Sequence, residues 1–131
     1  MRTYLIDSDI LIDFLNGKQR RDRLFEKLVK DNGELACCAI NVTEIFSGIS
    51  PQKEHLADRL FSAMTFVGVN ARVARRAGLI RRDLARKGIA MSLADATIAA
   101  LTIEEELVLV TGNARDFSKV EVKLYPLPRL N

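Results

Sequence analysis

Residues 4–15 read YLIDSDILIDFL, and this stretch decides the fold. The apolar segment at residues 3–6 predicts a short buried strand. Apolar residues then recur at helical spacing over residues 10–15, and Gly17 ends the predicted helix. Asp7 stands at the junction, where the carboxyl end of a strand meets the first turn of a helix. A strand that passes directly into a helix is the beginning of an α/β unit.

The rest of the chain continues this alternation of strands and helices. Further strands are predicted at residues 35–40, 65–69, 107–110 and 120–124. Further helices are predicted at residues 21–30, 42–48, 52–63, 71–87 and 93–105, and Pro126 and Pro128 mark a tail. Such alternation is typical of a parallel sheet that is covered by helices on both faces. A length of 131 residues favours one domain, residues 1–131.

The composition is that of a globular protein with a modest positive charge. Apolar residues make up 48% of the chain, charged residues 28%, and the net charge is +3. With six Phe, two Tyr and no Trp, the sequence does not support an aromatic platform on which bases would stack. Three acids, Asp7, Asp9 and Asp13, interrupt the apolar N-terminal stretch, which excludes a signal peptide or a membrane span there.

The chain contains two cysteines, and they are neighbours, Cys37 and Cys38. Adjacent residues of a strand point to opposite faces, so a disulfide between these two is not expected. We therefore interpret them as reduced thiols in the core of a cytoplasmic protein.

Four carboxylates stand where strands end or helices begin: Asp7, Glu44, Asp95 and Asp116. In an open parallel sheet, ligands bind at the carboxyl ends of the strands, where the strand order reverses. Acids that meet at this edge repel one another unless a cation lies between them. Oxygen ligands without His or Cys favour Mg²⁺ or Mn²⁺ over zinc. Such a metal activates water and neutralises the charge of a phosphoryl group.

A purely structural explanation is available for three of these acids. A Ser, Thr, Asn or Asp three residues before an acid is the spacing of a capping box at a helix N-terminus. The chain has this spacing at Asn41 with Glu44, at Ser92 with Asp95, and at Asn113 with Asp116. The two explanations are compatible, because an acid in the first turn of a helix can project over the edge of the sheet. Asp95 follows no predicted strand, so its position depends on how its helix docks.

The acids belong to four longer stretches: YLIDSDILIDFL, INVTEIFSGI, SLADATIAA and LVTGNARDF. In their order and spacing these stretches resemble the PIN-domain nucleases, and most closely the VapC-type toxins of toxin–antitoxin pairs. The resemblance covers nearly the whole chain. It implies a three-layer α/β/α fold around a central, mainly parallel sheet, which the strands predicted above would make about five-stranded.

The resemblance also implies an activity and partners. It implies cleavage of RNA by metal-activated water, with Asp7, Glu44, Asp95 and Asp116 binding Mg²⁺ or Mn²⁺. It implies a homodimer and a protein antitoxin that blocks the site. Thr111 and Asn113 match polar positions that support the acidic site, and Asp9 stands where members carry Asn, Ser or Asp. Gly112 stands where a basic residue is common, which implies a weaker phosphate contact.

A run of arginines on one predicted helix has three possible uses. Residues 72–87 carry seven basic residues and one acid. With Val73, Ala77, Ile80 and Leu84 as the buried stripe, four arginines point outward: Arg72, Arg75, Arg82 and Arg86. They could be a solvated helix face, a phosphate-binding flank, or a surface that binds the acidic residues of an antitoxin.

Two other functions compete with the nuclease. The motif from Asp7 to Asp9 imitates the D-x-D motif of a haloacid-dehalogenase-type phosphatase, but the 20 residues after Thr111 leave no room for the remaining elements of that fold. A non-catalytic module that uses the fold for protein binding is the other alternative. Cleavage by a histidine pair is excluded, because His55 is the only histidine in the chain.

Overall fold

The computed structural model describes residues 1–127, and Pro128 of the predicted tail lies outside them. The strands are β1 (Arg2–Ile6), β2 (Gly33–Cys37), β3 (Thr65–Phe66) and β4 (Val108–Val110). The helices are α1 (Ser8–Leu15), α2 (Arg21–Lys30), α3 (Ala39–Gly48), α4 (Glu54–Ser62), α5 (Ala71–Ala85) and α6 (Leu93–Glu104). Short 3-10 turns lie at Pro51–Lys53 and Ala114–Phe117.

The four strands form one parallel sheet in the order β3-β2-β1-β4. Alternation along β1 sends its side chains to two separate cores. Tyr4 and Ile6 join the core that α1 to α4 cover, and Leu5 joins the core beneath α5 and α6. This is the predicted three-layer α/β/α arrangement.

The strand order places the functional edge of the sheet. The chain moves from β1 outward to β2 and β3, and then returns to place β4 on the other side of β1. The order therefore reverses between β1 and β4, and a ligand crevice is expected at their carboxyl ends. Asp7 follows β1 and Thr111 follows β4, and the backbone N–H of Asp7 donates to the Val110 carbonyl at 2.9 Å. The two loops are thus adjacent.

The predicted boundary between β2 and α3 is wrong by three residues. The second strand ends at Cys37 rather than at residue 40, and α3 begins at Ala39 rather than at residue 42. The reason is a side-chain hydrogen bond, because Asn41 Oδ1 accepts from the backbone N–H of Cys38 at 2.9 Å. Cys38 is therefore the N-cap, and Asn41 is the third residue of the helix.

Two other predicted strands are shorter than expected, and one predicted helix begins with a different turn. The edge strand β3 ends at Phe66, since Val67 and Val69 pack against the core instead of extending the ladder. Of residues 120–124, Leu124 alone pairs, through an isolated parallel bridge to Leu109. The sheet has four strands within residues 1–127 because β4, only three residues long, supports little further pairing. The helix predicted at 52–63 divides into a 3-10 turn and α4.

The cysteines are unpaired, as predicted. Cys37 ends β2 and Cys38 caps α3, and both thiols are free and buried. Burial, followed by the neighbouring Cys38, raises the pKa of the Cys37 thiol to about 11, so this thiol stays protonated at neutral pH. Among residues 1–127, no helix combines the length and the hydrophobicity that crossing a membrane requires.

Candidate functional site

Asp7 lies at the centre of the candidate site. It is the N-cap of α1, and its Oδ1 accepts from the Ser8 N–H at 2.9 Å. Its Oδ2 accepts from the Thr111 hydroxyl at 2.8 Å, across the junction of β1 and β4. Burial, joined by the negative charges of Glu44 and Asp116, raises the pKa of Asp7 above its ordinary value, and the two hydrogen bonds oppose this rise.

Glu44 is held by a chain of hydrogen bonds that begins in the core. Asn41 is fully buried, and its Nδ2 donates to Ser8 Oγ at 3.1 Å. The Ser8 hydroxyl in turn donates to Glu44 Oε1 at 2.7 Å. The predicted capping box of Asn41 and Glu44 is therefore wrong, because Asn41 caps Cys38 instead and the Glu44 carboxylate faces the loop after β1. Sequence reasoning missed Ser8, although its position between two acids was a signal.

Asp95 reaches the same region from the first turn of α6. Ser92 is the N-cap of that helix, and its Oγ accepts from the Asp95 N–H at 3.0 Å, which is one half of the predicted capping box. Burial raises the pKa of Asp95, and Asp7, Asp116 and Glu44 raise it further by their charge. The docking of α6 thus brings Asp95 within electrostatic reach of the other three acids.

Asp116 lies at the rim of the site. It belongs to the 3-10 turn Ala114–Phe117, and it is exposed. The predicted capping box with Asn113 is not formed, since the Asp116 N–H donates to the backbone carbonyl of Asn113, at 2.9 Å, and the Asn113 side chain makes no capping bond. Asp116 raises the pKa of both Asp7 and Asp95, which places its charge close to each of them.

Asp9 and Gly112 form a close pair beside these acids. The Gly112 N–H donates to Asp9 Oδ2 at 2.8 Å, and a Cβ at position 112 would collide with that same oxygen. A glycine is therefore required by this close approach of backbone and carboxylate. Asp9 Oδ1 is buried, and it has no hydrogen-bond partner within residues 1–127. Burial, followed by the charge of Asp7, raises the pKa of Asp9.

These side chains surround two adjoining cavities. The first, which we call the carboxylate cavity, is lined by Asp7, Asp9, Glu44, Asp95 and Asn113, among others. The second is lined by Asp95 and Asp116, with Arg115 and Lys119 beside them. Sequence reasoning missed the two basic residues, because the distance from Lys119 to Asp95 along the chain conceals their proximity. Thr111 supports the first cavity from below, since its hydroxyl also accepts from the Asn113 N–H at 3.0 Å.

The donor set fits a hard divalent cation. The carboxylate cavity offers carboxylate, amide and hydroxyl oxygens and no His or Cys, which is the chemistry of Mg²⁺ or Mn²⁺ ligation. The unpartnered Asp9 Oδ1 is a further oxygen without a hydrogen-bond donor. The acids share an edge but not one ready coordination shell. As the side chains stand in residues 1–127, no three acidic, His or Cys groups are close enough to hold one ion.

The predicted arginine face divides into different environments. The α5 residues Val73, Ala77 and Leu84 are buried and the four predicted arginines are exposed, as the periodicity indicated. Arg72 pairs with Glu104 of α6 at 3.4 Å, and Arg82 pairs with its neighbour Asp83 at 3.0 Å. His55 is exposed on α4 and lines neither cavity described above.

The fold and the acidic edge define an α/β protein with a candidate cation site at the switch point of a parallel sheet. The family model described as "PIN domain" matches residues 4–123, and the chain belongs to this family. The phosphatase alternative, which needs a different fold, is set aside.

Several characterised proteins are similar to the chain over most of their length. One is "Ribonuclease VapC10" of Mycobacterium tuberculosis, 30% identical, with 89% of this chain and 87% of the relative covered. Another is "Ribonuclease VapC2" of Haemophilus influenzae, 26% identical, with coverage of 92% and 93%. Among solved structures, VapBC2 from Rickettsia felis bound to a promoter DNA fragment has a TM-score of 0.84 at 25% identity, and covers 94% of this chain and 97% of its own.

Proposed function

We propose that this protein is a metal-dependent endoribonuclease and the toxin of a type II toxin–antitoxin pair. Its substrate is RNA, and its reaction is hydrolysis of a phosphodiester bond. The observation that carries the proposal is the meeting of four carboxylates, from four separate segments, at the switch point of the sheet. The similarity to proteins named ribonuclease over about nine tenths of the chain supports the choice of RNA.

In this mechanism Asp7, Glu44 and Asp95 hold the principal Mg²⁺ or Mn²⁺, and Asp116 completes the site or holds a second ion. The bound cation supplies an activated water and neutralises charge on the phosphoryl group. The chain's own task is positioning. Thr111 keeps Asp7 in place through its 2.8 Å hydrogen bond, and Ser8 orients Glu44 through its 2.7 Å bond.

The raised pKa values support this assignment of the acids. Burial and mutual repulsion disfavour the ionised forms of Asp7 and Asp95, so the folded protein holds these charges at a cost. A divalent cation removes the repulsion. A structural role alone would be served as well by neutral side chains, since Asn also caps helices.

The partners follow from the same comparisons. The R. felis neighbour and one from Klebsiella pneumoniae (TM-score 0.78 at 22% identity) are described as VapBC2 and as a toxin–antitoxin complex. We propose that a protein antitoxin likewise blocks this site, and that the protein is a homodimer. A toxin that cleaves cellular RNA acts in the cytoplasm, which is the location we propose here.

The test compares Asp7→Asn with Asp58→Asn, a control that removes an equal charge at an exposed position of α4. Each protein is incubated with Mn²⁺ or EDTA on RNA, on DNA and on a small phosphate ester. We expect the wild type and the control to cleave RNA with Mn²⁺ alone, leaving 5′-phosphates, and Asp7→Asn to be inactive while folded. Undiminished cleavage by Asp7→Asn, or in EDTA, would overturn the mechanism. No RNA cleavage by the wild type would favour the non-catalytic binding module.

A further inference from the structure

The carboxylate cavity opens into a longer groove. The second cavity shares Asp95 with it, and continues along Arg115, Asp116 and Lys119 to a wall formed by Leu84 and residues 89–91. A third cavity shares residues 89–91 and runs onto α5, where Gly78, Arg81, Arg82 and Ala85 line it. The three cavities therefore form one continuous surface, which we call the exit groove where it passes beyond Asp95.

The exit groove changes sign along its length. It begins at the carboxylates and passes directly to Arg115 and Lys119, both of which are exposed. Within residues 1–127 neither side chain makes an ion pair or a hydrogen bond, so both cations are free to meet an anion. Farther along, Arg82 has only the adjacent Asp83 as partner, and both are more than half exposed. Such a surface pair is weak and readily exchanged.

The wall of the groove is apolar and is held in place by the protein itself. Met91 is buried and Ile89 is half-buried, and both face the second cavity. Arg81 Nε donates to the Met91 carbonyl at 3.0 Å, which ties this segment to α5. The groove thus combines a fixed apolar side with mobile, unpaired cations, as the binding of a nucleotide chain requires.

The other arginines of α5 have different surroundings. Arg72 and Arg76 bind Glu104 at 3.4 and 2.6 Å, and they join α5 to α6. Arg75 and Arg86 are exposed but line none of the three cavities. The helix therefore does not act as one uniform basic face.

We propose that the exit groove binds the single strand of RNA next to the scissile bond. Arg115 and Lys119 bind the adjoining phosphate, the wall at Ile89 and Met91 receives its nucleoside, and Arg82 meets a phosphate farther along. This proposal rests on the proposed ribonuclease function and names the residues that hold its substrate. RNA is favoured over an acidic protein because the groove starts at the reacting acids themselves, where the cleaved backbone has to pass.

The experiment measures RNA affinity against salt concentration. Cleavage is blocked by Asp7→Asn in every sample, Mg²⁺ is present, and the probe is a fluorescent mixed-sequence RNA dodecamer. The test variant adds Arg115→Gln with Lys119→Gln. The matched control adds Arg75→Gln with Arg86→Gln, which removes two exposed charges outside the groove. Thermal unfolding checks that each variant is folded.

We expect the test variant to flatten the slope of log affinity against log salt by about 1.4, since each contact to a single strand contributes about 0.7. Between 50 and 200 mM salt, the affinity of the parent should accordingly fall about sevenfold more than that of the test variant. The control should keep the parent slope.

Three results would overturn the proposal. Equal flattening in the test variant and the control would show a diffuse basic surface. An unchanged RNA slope, with loss of binding to a poly-glutamate peptide, would assign the cations to a protein partner. Absence of RNA binding in the parent would also overturn it, and RNA cleavage by the unsubstituted protein, assayed in parallel, would show whether the proposed function falls as well.

Discussion

Replacing Ser8 by alanine tests how the fold positions Glu44. The Ser8 hydroxyl accepts from the buried Asn41 Nδ2 at 3.1 Å and donates to Glu44 Oε1 at 2.7 Å. Alanine removes both bonds at once. Asn41 is fully buried, so its Nδ2 would lose its partner in a place without bulk water. Glu44 is exposed, and water replaces the lost bond at its carboxylate.

The magnitude follows from this asymmetry. A buried donor left without a partner costs about 1–3 kcal/mol, whereas the solvated carboxylate contributes little to stability. For a domain of this size, about 1 kcal/mol corresponds to roughly 3 °C in Tm, so Ser8→Ala should lower Tm by about 3–9 °C. Cleavage should fall by at least about tenfold, or roughly 1.4 kcal/mol, because Glu44 loses its fixed orientation.

Ser47→Ala is the matched control. Ser47 also lines the carboxylate cavity, but its hydroxyl donates to the Thr43 carbonyl at 2.7 Å within α3 and is exposed. This variant should stay within about 0.5 kcal/mol of the wild type. Thermal unfolding by circular dichroism and RNA cleavage with Mn²⁺ measure both effects. If Ser8→Ala unfolds with Ser47→Ala and cleaves at the wild-type rate, the chain from Asn41 to Glu44 does not position the site.

Three further predictions concern the acids. Glu44→Gln still accepts from Ser8, so the Tm without metal should stay near wild type, while Mn²⁺ affinity by calorimetry should fall at least about tenfold; unchanged affinity would exclude Glu44 as a ligand. The pKa of Asp95 is raised above 3.8, so its contribution to stability is present at low pH and is lost as pH rises through the raised value. In EDTA, urea unfolding should show a flatter loss of stability above about pH 4 for Asp95→Asn than for the wild type, and parallel curves would contradict this. Gly112→Ala displaces the Asp9 carboxylate and should cost about 1–2 kcal/mol, but almost nothing in an Asp9→Ala background; equal cost in both backgrounds would place the strain elsewhere.

The regular elements of the fold were largely predictable because they depend on local patterns. Helical periodicity predicted α5 and its buried stripe, and Gly17 ends the first helix with φ of +65° as expected. The errors concern positions where a side chain competes with the pattern. Asn41 starts α3 early through its bond to Cys38, and no periodicity of apolar residues contains that information.

The candidate site was predictable as a set of residues but not as a geometry. All four acids stand near ends of elements in the sequence, and the sheet rule collects three such ends at one edge. Asp95 follows no strand, and only the docking of α6 brings its charge close to Asp7. Arg115 and Lys119 were missed for the same reason, since the wall they face is formed by residues 89–91.

The sequence by itself determined the alternation of strands and helices, the family, and the acids available for catalysis. These are properties of local periodicity and of residue type, which neighbouring residues express without distant contacts. Tertiary structure alone decided which atoms meet: Ser8 between Asn41 and Glu44, Thr111 against Asp7, and Gly112 against Asp9. Each of these contacts joins residues more than 30 positions apart, and depends on the strand order that sets β1 between β2 and β4.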